Sequence, residues 1–237
     1  SGDLAAVMEA LIAAVRAPKV KQRFDEVQRW ACKAGVALQM EHYTGLLEAC
    51  DAASDWKRAV QLHSELKAAG LPPSVESYQS LIGACEKGRQ TELVIRAYDE
   101  MKNNGFTANA ALYNTLIRAC SWTKTSHRRA EQMMKGMRDD GFEPTLTTYN
   151  ALLHVYSRAG MLAPALEVLQ QMKHANVRPS THTYNMLLQA GDGSNQSSKW
   201  EQNLAIFDQM KASRVPPNAV TLNVLISTLE RSSQPTR

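Results

Sequence analysis

No run of 18 apolar residues occurs in the sequence, so no helix in it is expected to cross a bilayer, and no membrane partner is expected. Catalytic signatures are missing as well. There is no HExxH, no GxxxxGK followed by Ser or Thr, no GxGxxG and no GxSxG, and the six histidines are scattered without ligand spacing. The aspartates are dispersed too, so the expectation is a chain that is not an enzyme and holds neither metal nor cofactor. Cysteine is sparse: Cys50, Cys85 and Cys120 stand 35 residues apart with no CxxC or CxxH around them. Equivalent points on neighbouring parallel helices lie roughly 8–10 Å apart, too far for a disulfide. Small buried packing residues, reduced and in a non-secretory compartment, are expected instead. The chain opens on Ser1-Gly2 without an initiator methionine or a signal-like segment, which reads as a processed form or one made for expression.

Aromatic residues are also few, which makes their placement informative. Tyr43, Tyr78, Tyr113, Tyr149 and Tyr184 stand 35, 35, 36 and 35 residues apart. Each is followed three and four residues later by an aliphatic pair: Leu46/Leu47, Leu81/Ile82, Leu116/Ile117, Leu152/Leu153 and Leu187/Leu188. A sixth copy has Leu222 in the tyrosine's place, with Leu225/Ile226 behind it. A tandem repeat of this period cannot bury its apolar face alone, so stacking is the fold and the stacked surface the expected binding site.

Residues 75–109 show what one repeat contains. Tyr78, Leu81, Ile82 and Cys85 keep a helical 3-4 spacing, Lys87-Gly88-Arg89 interrupts it, and Leu93, Val94, Ala97, Tyr98 and Met101 resume it. That predicts two amphipathic helices and a turn. Gly70, Gly105 and Gly141, with Asn176 as a substitute, suit the position past a helix C-terminus. Prolines 73, 144, 179 and 217 then fall where one repeat should hand over to the next. The expected architecture is all-α, a right-handed solenoid of helical hairpins forming one domain over 1–237. Its parts are a degenerate first repeat or cap at 5–39, full repeats at 40–74, 75–109, 110–145, 146–180 and 181–218, and a partial one at 219–237. Two repeats are longer, and both extensions are placed in the turn between helices. One is the basic, Trp-bearing stretch Ser121–Arg129, which either touches phosphate and a base or is a solvated turn. The other is the Gly/Ser-rich segment 191–198.

A 35-residue hairpin with Tyr-Asn-x-Leu followed by Ile or Leu in its first helix, as at Tyr113–Ile117, Tyr149–Leu153 and Tyr184–Leu188, resembles the pentatricopeptide repeat (PPR) family, P-type. The second helix closes as that family's does, at Leu66-Lys67, Met101-Lys102, Met137-Arg138, Met172-Lys173 and Met210-Lys211. The resemblance runs from about residue 5 to the end. It implies a protein that binds single-stranded RNA in a mitochondrion or chloroplast, one base per repeat, for transcript stabilisation, processing, splicing or translation. A targeting peptide is not present in this chain. In the family, the residue after the tyrosine and the last residue of the repeat choose the base. Carried over, the pairs are Thr44 with Ser74, Gln79 with Asn109, Asn114 with Thr145, Asn150 with Ser180, and Asn185 with Asn218, while Asn223 opens a sixth. By the family's code they would read a purine, an unread base and three pyrimidines, so the expected partner is a short pyrimidine-containing RNA, together with proteins of an RNA-processing or ribosomal complex.

Two physical readings stand beside the code. Asn costs roughly half a kcal/mol against Ala in a helix interior, so an Asn register needs a cause: either it reads a base or it bonds a neighbouring repeat. Ser74, Asn109, Thr145, Ser180 and Asn218 are N-cap types placed where helices should start, and capping alone would account for them. The family's base clamp, two residues before the tyrosine, falls on Glu41, Glu76, Ala111, Thr147, His182 and Val220. Only Val220 conforms to the family's aliphatic choice, and the two carboxylates oppose RNA phosphates. Ala111, Thr147, His182 and Val220 are therefore the clamp candidates. Residues 1–109 carry 13 Lys/Arg against 14 Asp/Glu, whereas 110–237 carry 14 against 9. The excess positive charge points to the second half as the polyanion-facing part, with Arg118, Lys124, Arg128, Arg129 and Arg158 as phosphate candidates. Alternatives to RNA reading are a structural subunit of an organellar ribonucleoprotein such as the mitochondrial ribosome, and a protein-binding scaffold.

Overall fold

The computed structural model describes residues 38–123, 126–193 and 199–233. The first repeat expected at 5–39 lies outside them except for its last two residues. Among the described residues the chain is all-helical, and it divides between Ala108 and Asn109 into two compact units. The first unit holds α1 (Met40–Ala53), α2 (Trp56–Ala68), α3 (Val75–Lys87) and α4 (Thr91–Asn103). The second holds α5 (Ala110–Ala119), a 3₁₀ turn (Cys120–Trp122), α6 (His127–Asp139), α7 (Leu146–Ala159), α8 (Leu162–His174), α9 (Thr181–Gly193), α10 (Lys199–Ala212) and α11 (Ala219–Ser233).

Within each unit the odd-numbered helices pack on one another, α1 on α3 and α5 on α7 on α9 on α11, and the even-numbered helices pack against them. The tyrosine ladder is the reason. Tyr78, Tyr113, Tyr149 and Tyr184 are among the largest fully enclosed side chains, with the aliphatic residues three and four positions later beside them. Burial of each such aliphatic side chain contributes about 1.5–3 kcal/mol, more than an isolated hairpin of this length could gain. α11 shows the other case. Its Leu222, Ile226 and Leu229 occupy the register of Tyr184, Leu188 and Gly191, yet they remain 50%, 53% and 44% exposed.

A buried phenol needs a partner for its hydroxyl, and here the partner sits at the far end of the second helix of the same hairpin. Tyr78 Oη accepts from Asn104 Nδ2 at 2.7 Å, and Tyr113 Oη donates to Asp140 Oδ2 at 2.5 Å. Tyr184 Oη meets Ser213 Oγ at 2.8 Å. Asn104 and Asp140 are the C-cap residues of α4 and α6, and Ala175, the C-cap of α8, offers no such group to Tyr149. Just past these caps the chain turns through a left-handed residue, at Gly105 (φ 81°), Gly141 (φ 84°) and Asn176 (φ 55°), and Phe106, Phe142 and Val177 then donate back to the last helical turn.

In the first unit this clasp widens into a charged network. Glu100 Oε1 accepts from Tyr78 Oη at 3.0 Å and Lys67 Nζ at 3.0 Å, and pairs with the buried His63 Nε2 at 3.3 Å. Burial holds His63 below its ordinary pKa despite the nearby carboxylate. For Glu100, burial opposes ionisation, but the bonds from Lys67, Tyr78 and His63 outweigh it and hold its pKa below the usual carboxylate value.

Cys50, Cys85 and Cys120 are buried and free, one on each of α1 and α3 and one in the 3₁₀ turn. Burial pushes the thiols of Cys50 and Cys85 up to about 12 and that of Cys120 to about 11, so they stay protonated and unreactive near neutrality.

Each of the two extensions expected to be a turn is helical in part among the described residues. His127, Arg128 and Arg129 open α6, and α9 continues through Gly193, leaving 194–198 outside the described residues. Gly191 is tolerated in that helix because a Cβ there would run into the side chain of Asn203. Gly88, at the end of α3, is similarly pressed against the Trp56 side chain, down to its Cβ.

Four outcomes follow from this packing. Tyr113→Phe should lower stability by about 0.5–1.5 kcal/mol in chemical denaturation, the net worth of one hydrogen bond, whereas Ala175→Asn should raise it by about 0.5–1 kcal/mol by giving Tyr149 the partner its neighbours have. Gly88→Ala should cost about 1–3 kcal/mol, because the Trp56 ring cannot withdraw without moving its backbone. Acid should destabilise the first unit. With folded pKa values below unfolded ones, His63 and Glu100 both leave the unfolded chain binding more protons, so the melting temperature should fall as pH drops below 6.5 and again below 4.5, with Glu100→Gln abolishing the second step.

Candidate functional site

Asn114, Asn150 and Asn185 each follow a buried tyrosine, so their side chains point about 100° away from the core seam of α5, α7 and α9. There the second unit forms an open groove of about 790 Å³. Three rows line it, one per helical turn. Thr147, His182 and Val220 come from the start of α7, α9 and α11, the three asparagines from the middle row, and Arg118, His154 and Gln189 from four residues further on. Ala151, Met186, Thr181 and Asn218 complete the lining. No carboxylate is among these residues. The equivalent registers of the first unit carry Glu41 and Glu76 in the first row and Glu48 in the third.

The groove's ionisable groups are imidazole and guanidinium. Half-buried His154 lies below its ordinary pKa, first because of burial and then because of the positive Arg158 and His182 around it. Arg158 itself stands over the Trp122 ring, 5.5 Å from its centroid.

The asparagines are tied into the stack. Asn150 Oδ1 accepts from Thr183 Oγ1 at 2.8 Å, and Asn185 Oδ1 accepts from Thr221 Oγ1 at 2.7 Å, in each case from the following odd-numbered helix. Asn185 Nδ2 also donates to Asn218 Oδ1 at 3.2 Å, which brings the two members of that pair together. Asn114 Oδ1 is buried with no hydrogen-bond partner.

The residues that end each repeat are all helix caps. Ser74 accepts from Ser77 N–H at 3.2 Å, Asn109 from Leu112 N–H at 2.8 Å, Ser180 from Thr183 N–H at 3.3 Å and Asn218 from Thr221 N–H at 3.0 Å. Thr145 forms a capping box with Thr148. All five side chains are already engaged as caps, and only Asn218 of them lines the groove.

The remaining candidates lie elsewhere. Thr44 Oγ1 donates back to Met40 C=O within α1, and half-buried Gln79 is on α3, both in the first unit. Asn223 is exposed on α11, and exposed Ala111 opens α5 without lining the groove. Arg128 and Arg129 belong to α6, with Arg129 close enough to the buried Cys120 to act on its thiol. Lys124 lies outside the described residues. Of the five phosphate candidates, only Arg118 lines the groove.

Sequence reasoning passed over Met186, Gln189 and the threonines Thr148, Thr183 and Thr221 that precede the last three positions of the tyrosine register. Gln189 was recoverable from its spacing, since a residue four after an Asn must share its helix face. Because Arg158 and His182 hold His154 down, Arg158→Ala and His182→Ala should each raise the His154 pKa towards 6.5, and an NMR titration of its ring protons reads this directly.

This geometry has known counterparts. A family profile described as the pentacotripeptide-repeat region of PRORP matches residues 28–200, and one described as a pentatricopeptide repeat domain matches residues 193–231. The crystal structure of the pentatricopeptide repeat protein PPR10 from maize overlays 96% of the chain at a TM-score of 0.68 and 28% identity. PPR10 in complex with an 18-nt psaJ RNA element overlays 92% at a TM-score of 0.57 and 19% identity. A chloroplastic pentatricopeptide repeat-containing protein of Arabidopsis thaliana is 36% identical over 63 residues, 26% of the chain. The chain spans 31% of the maize protein and 13% of the Arabidopsis one.

Proposed function

The chain belongs to the pentatricopeptide repeat family, and we propose that it binds single-stranded RNA along the groove of α5, α7 and α9, acting by occupancy rather than catalysis. The observation that carries this reading is the groove's lining: amides at one register, a guanidinium and two imidazoles beside them, and no carboxylate. Amides answer the pairing edges of bases, and cationic groups supply the phosphate affinity. PPR10, similar over nearly the whole chain, has been solved with a bound RNA element. A chloroplastic relative supports a role in organellar RNA metabolism.

In this reading Asn114, Asn150 and Asn185 read bases, with the caps Thr145, Ser180 and Asn218 tuning the choice towards pyrimidines. His182 and Val220 flank the bases, and Arg118 meets phosphate. The first unit contributes little RNA affinity, because Glu41, Glu48 and Glu76 stand where the second unit has neutral or basic residues. That acidic register suits protein contacts within a ribonucleoprotein, which is the second reading.

Filter binding with single-stranded RNA separates the two. Arg118→Glu should weaken binding at least several-fold and reduce the salt slope by about 0.7 or more, the share of one single-strand phosphate contact. Unchanged affinity and slope would overturn the groove as the RNA surface.

A further inference from the structure

We propose that Thr183 and Thr221 are positioning residues: each locks the amide of the preceding repeat's asparagine so that it offers the groove only N–H donors. The inference rests on the groove being a base-reading surface. Its argument starts from proton accounting. The backbone N–H of Ser180 reaches Thr183 Oγ1 at 3.0 Å, and that of Asn218 reaches Thr221 Oγ1 at 3.1 Å. A backbone N–H can only donate, so each hydroxyl oxygen is an acceptor there and keeps its single hydrogen for another group.

That hydrogen goes to the asparagine, at 2.8 Å from Thr183 to Asn150 and 2.7 Å from Thr221 to Asn185; Thr183 also lies 3.1 Å from Ser180 Oγ, but that contact is longer and that oxygen already accepts from Thr183 N–H. Thr221 also lies 3.0 Å from Asn218 Oδ1, but the shorter contact takes the proton, because Asn218 Oδ1 is already supplied by Thr221 N–H. An atom that receives a hydroxyl proton must be the amide oxygen. The orientation of each amide, which heavy-atom positions alone leave open, is therefore set by a threonine 33 or 36 residues away. Both threonines are 0% exposed, so water does not compete for the bond.

With its oxygen turned into the stack, Asn150 presents an NH₂ to the groove, and Asn185 keeps one N–H beyond its bond to Asn218. A donor-only group donates to the carbonyl oxygen of a pyrimidine and rejects an exocyclic amino group at the same point. The chain contains its own contrast. Thr148, at the same register, makes to Thr145 the contacts that Thr183 makes to Ser180 but does not supply Asn114, whose Oδ1 is left buried without a partner. In the first unit the register holds Ser77, which donates to Ser74 C=O at 2.8 Å. The register position at 112 is a leucine, with no hydroxyl to give.

Selection from one random pool of single-stranded RNA, run in parallel on the wild type, Thr183→Val, Thr183→Ser and Asn150→Asp, tests the lock. The wild type should enrich a pyrimidine at the nucleotide read by Asn150. Thr183→Val should lower the pyrimidine-to-adenine ratio there by about two- to tenfold, the worth of one net hydrogen bond, while leaving the other nucleotides as they were. Thr183→Ser retains the hydroxyl and should retain the ratio. Asn150→Asp still accepts from Thr183 but shows the groove an acceptor, and should move the preference to guanine, whose pairing edge carries donors. It serves as the readout if Thr183→Val melts below the assay temperature by circular dichroism. An unchanged ratio in Thr183→Val, a loss in Thr183→Ser equal to that in Thr183→Val, or a retained pyrimidine in Asn150→Asp overturns the lock. A wild type that enriches no RNA, or enriches RNA with no base preference, overturns the underlying base-reading function instead.

Discussion

A helical hairpin has one apolar stripe too many: folding its two helices together covers part of the surface and leaves the rest needing a neighbour. The structure is organised around that debt. The seam of odd-numbered helices enclosing Tyr78 in the first unit and Tyr113, Tyr149 and Tyr184 in the second meets it, and α11 shows the same stripe uncovered at Leu222, Ile226 and Leu229. Because the seam consumes the residues at and just after each tyrosine, it also determines which neighbouring positions remain on the open face. The groove is what the packing leaves over.

Charge divides the chain where composition first suggested. The second unit's groove has no carboxylate, whereas the first unit places Glu41, Glu48 and Glu76 at the corresponding registers and turns another carboxylate, Glu100, inward to hold His63, Lys67 and Tyr78. One unit places its acidic groups in internal order and an acidic face, and the other keeps its groove free of them.

The helical hairpins were legible because period and burial are the same fact: a tyrosine with an aliphatic pair recurring every 35 residues must lie on a seam. The asparagine face was legible for the same reason, being one residue off that seam. What the sequence could not separate is the role of Ser74, Asn109, Thr145, Ser180 and Asn218, since the residue types that cap helices are also those that touch bases, and the structure shows all five capping. Gly191 misled because glycine ordinarily signals a turn, whereas here it makes room for Asn203 inside a continuous helix. The Thr183 and Thr221 bonds were invisible for a different reason. They join residues 33 and 36 apart across a helix interface, and neither local propensity nor a one-repeat period reports such a pairing.

Those two bonds also alter what counts as a module. The caps mark repeat boundaries at Ser180 and Asn218, but the side chain that orients each asparagine arrives from beyond the cap, in the next repeat. Cutting and rejoining such a protein at its caps would separate the amides of Asn150 and Asn185 from the hydroxyls that aim them. The natural interchangeable piece, for evolution shuffling repeats or for anyone rebuilding them, runs from the tyrosine of one repeat to the threonine that precedes the next tyrosine, and so straddles the boundary that the helices draw.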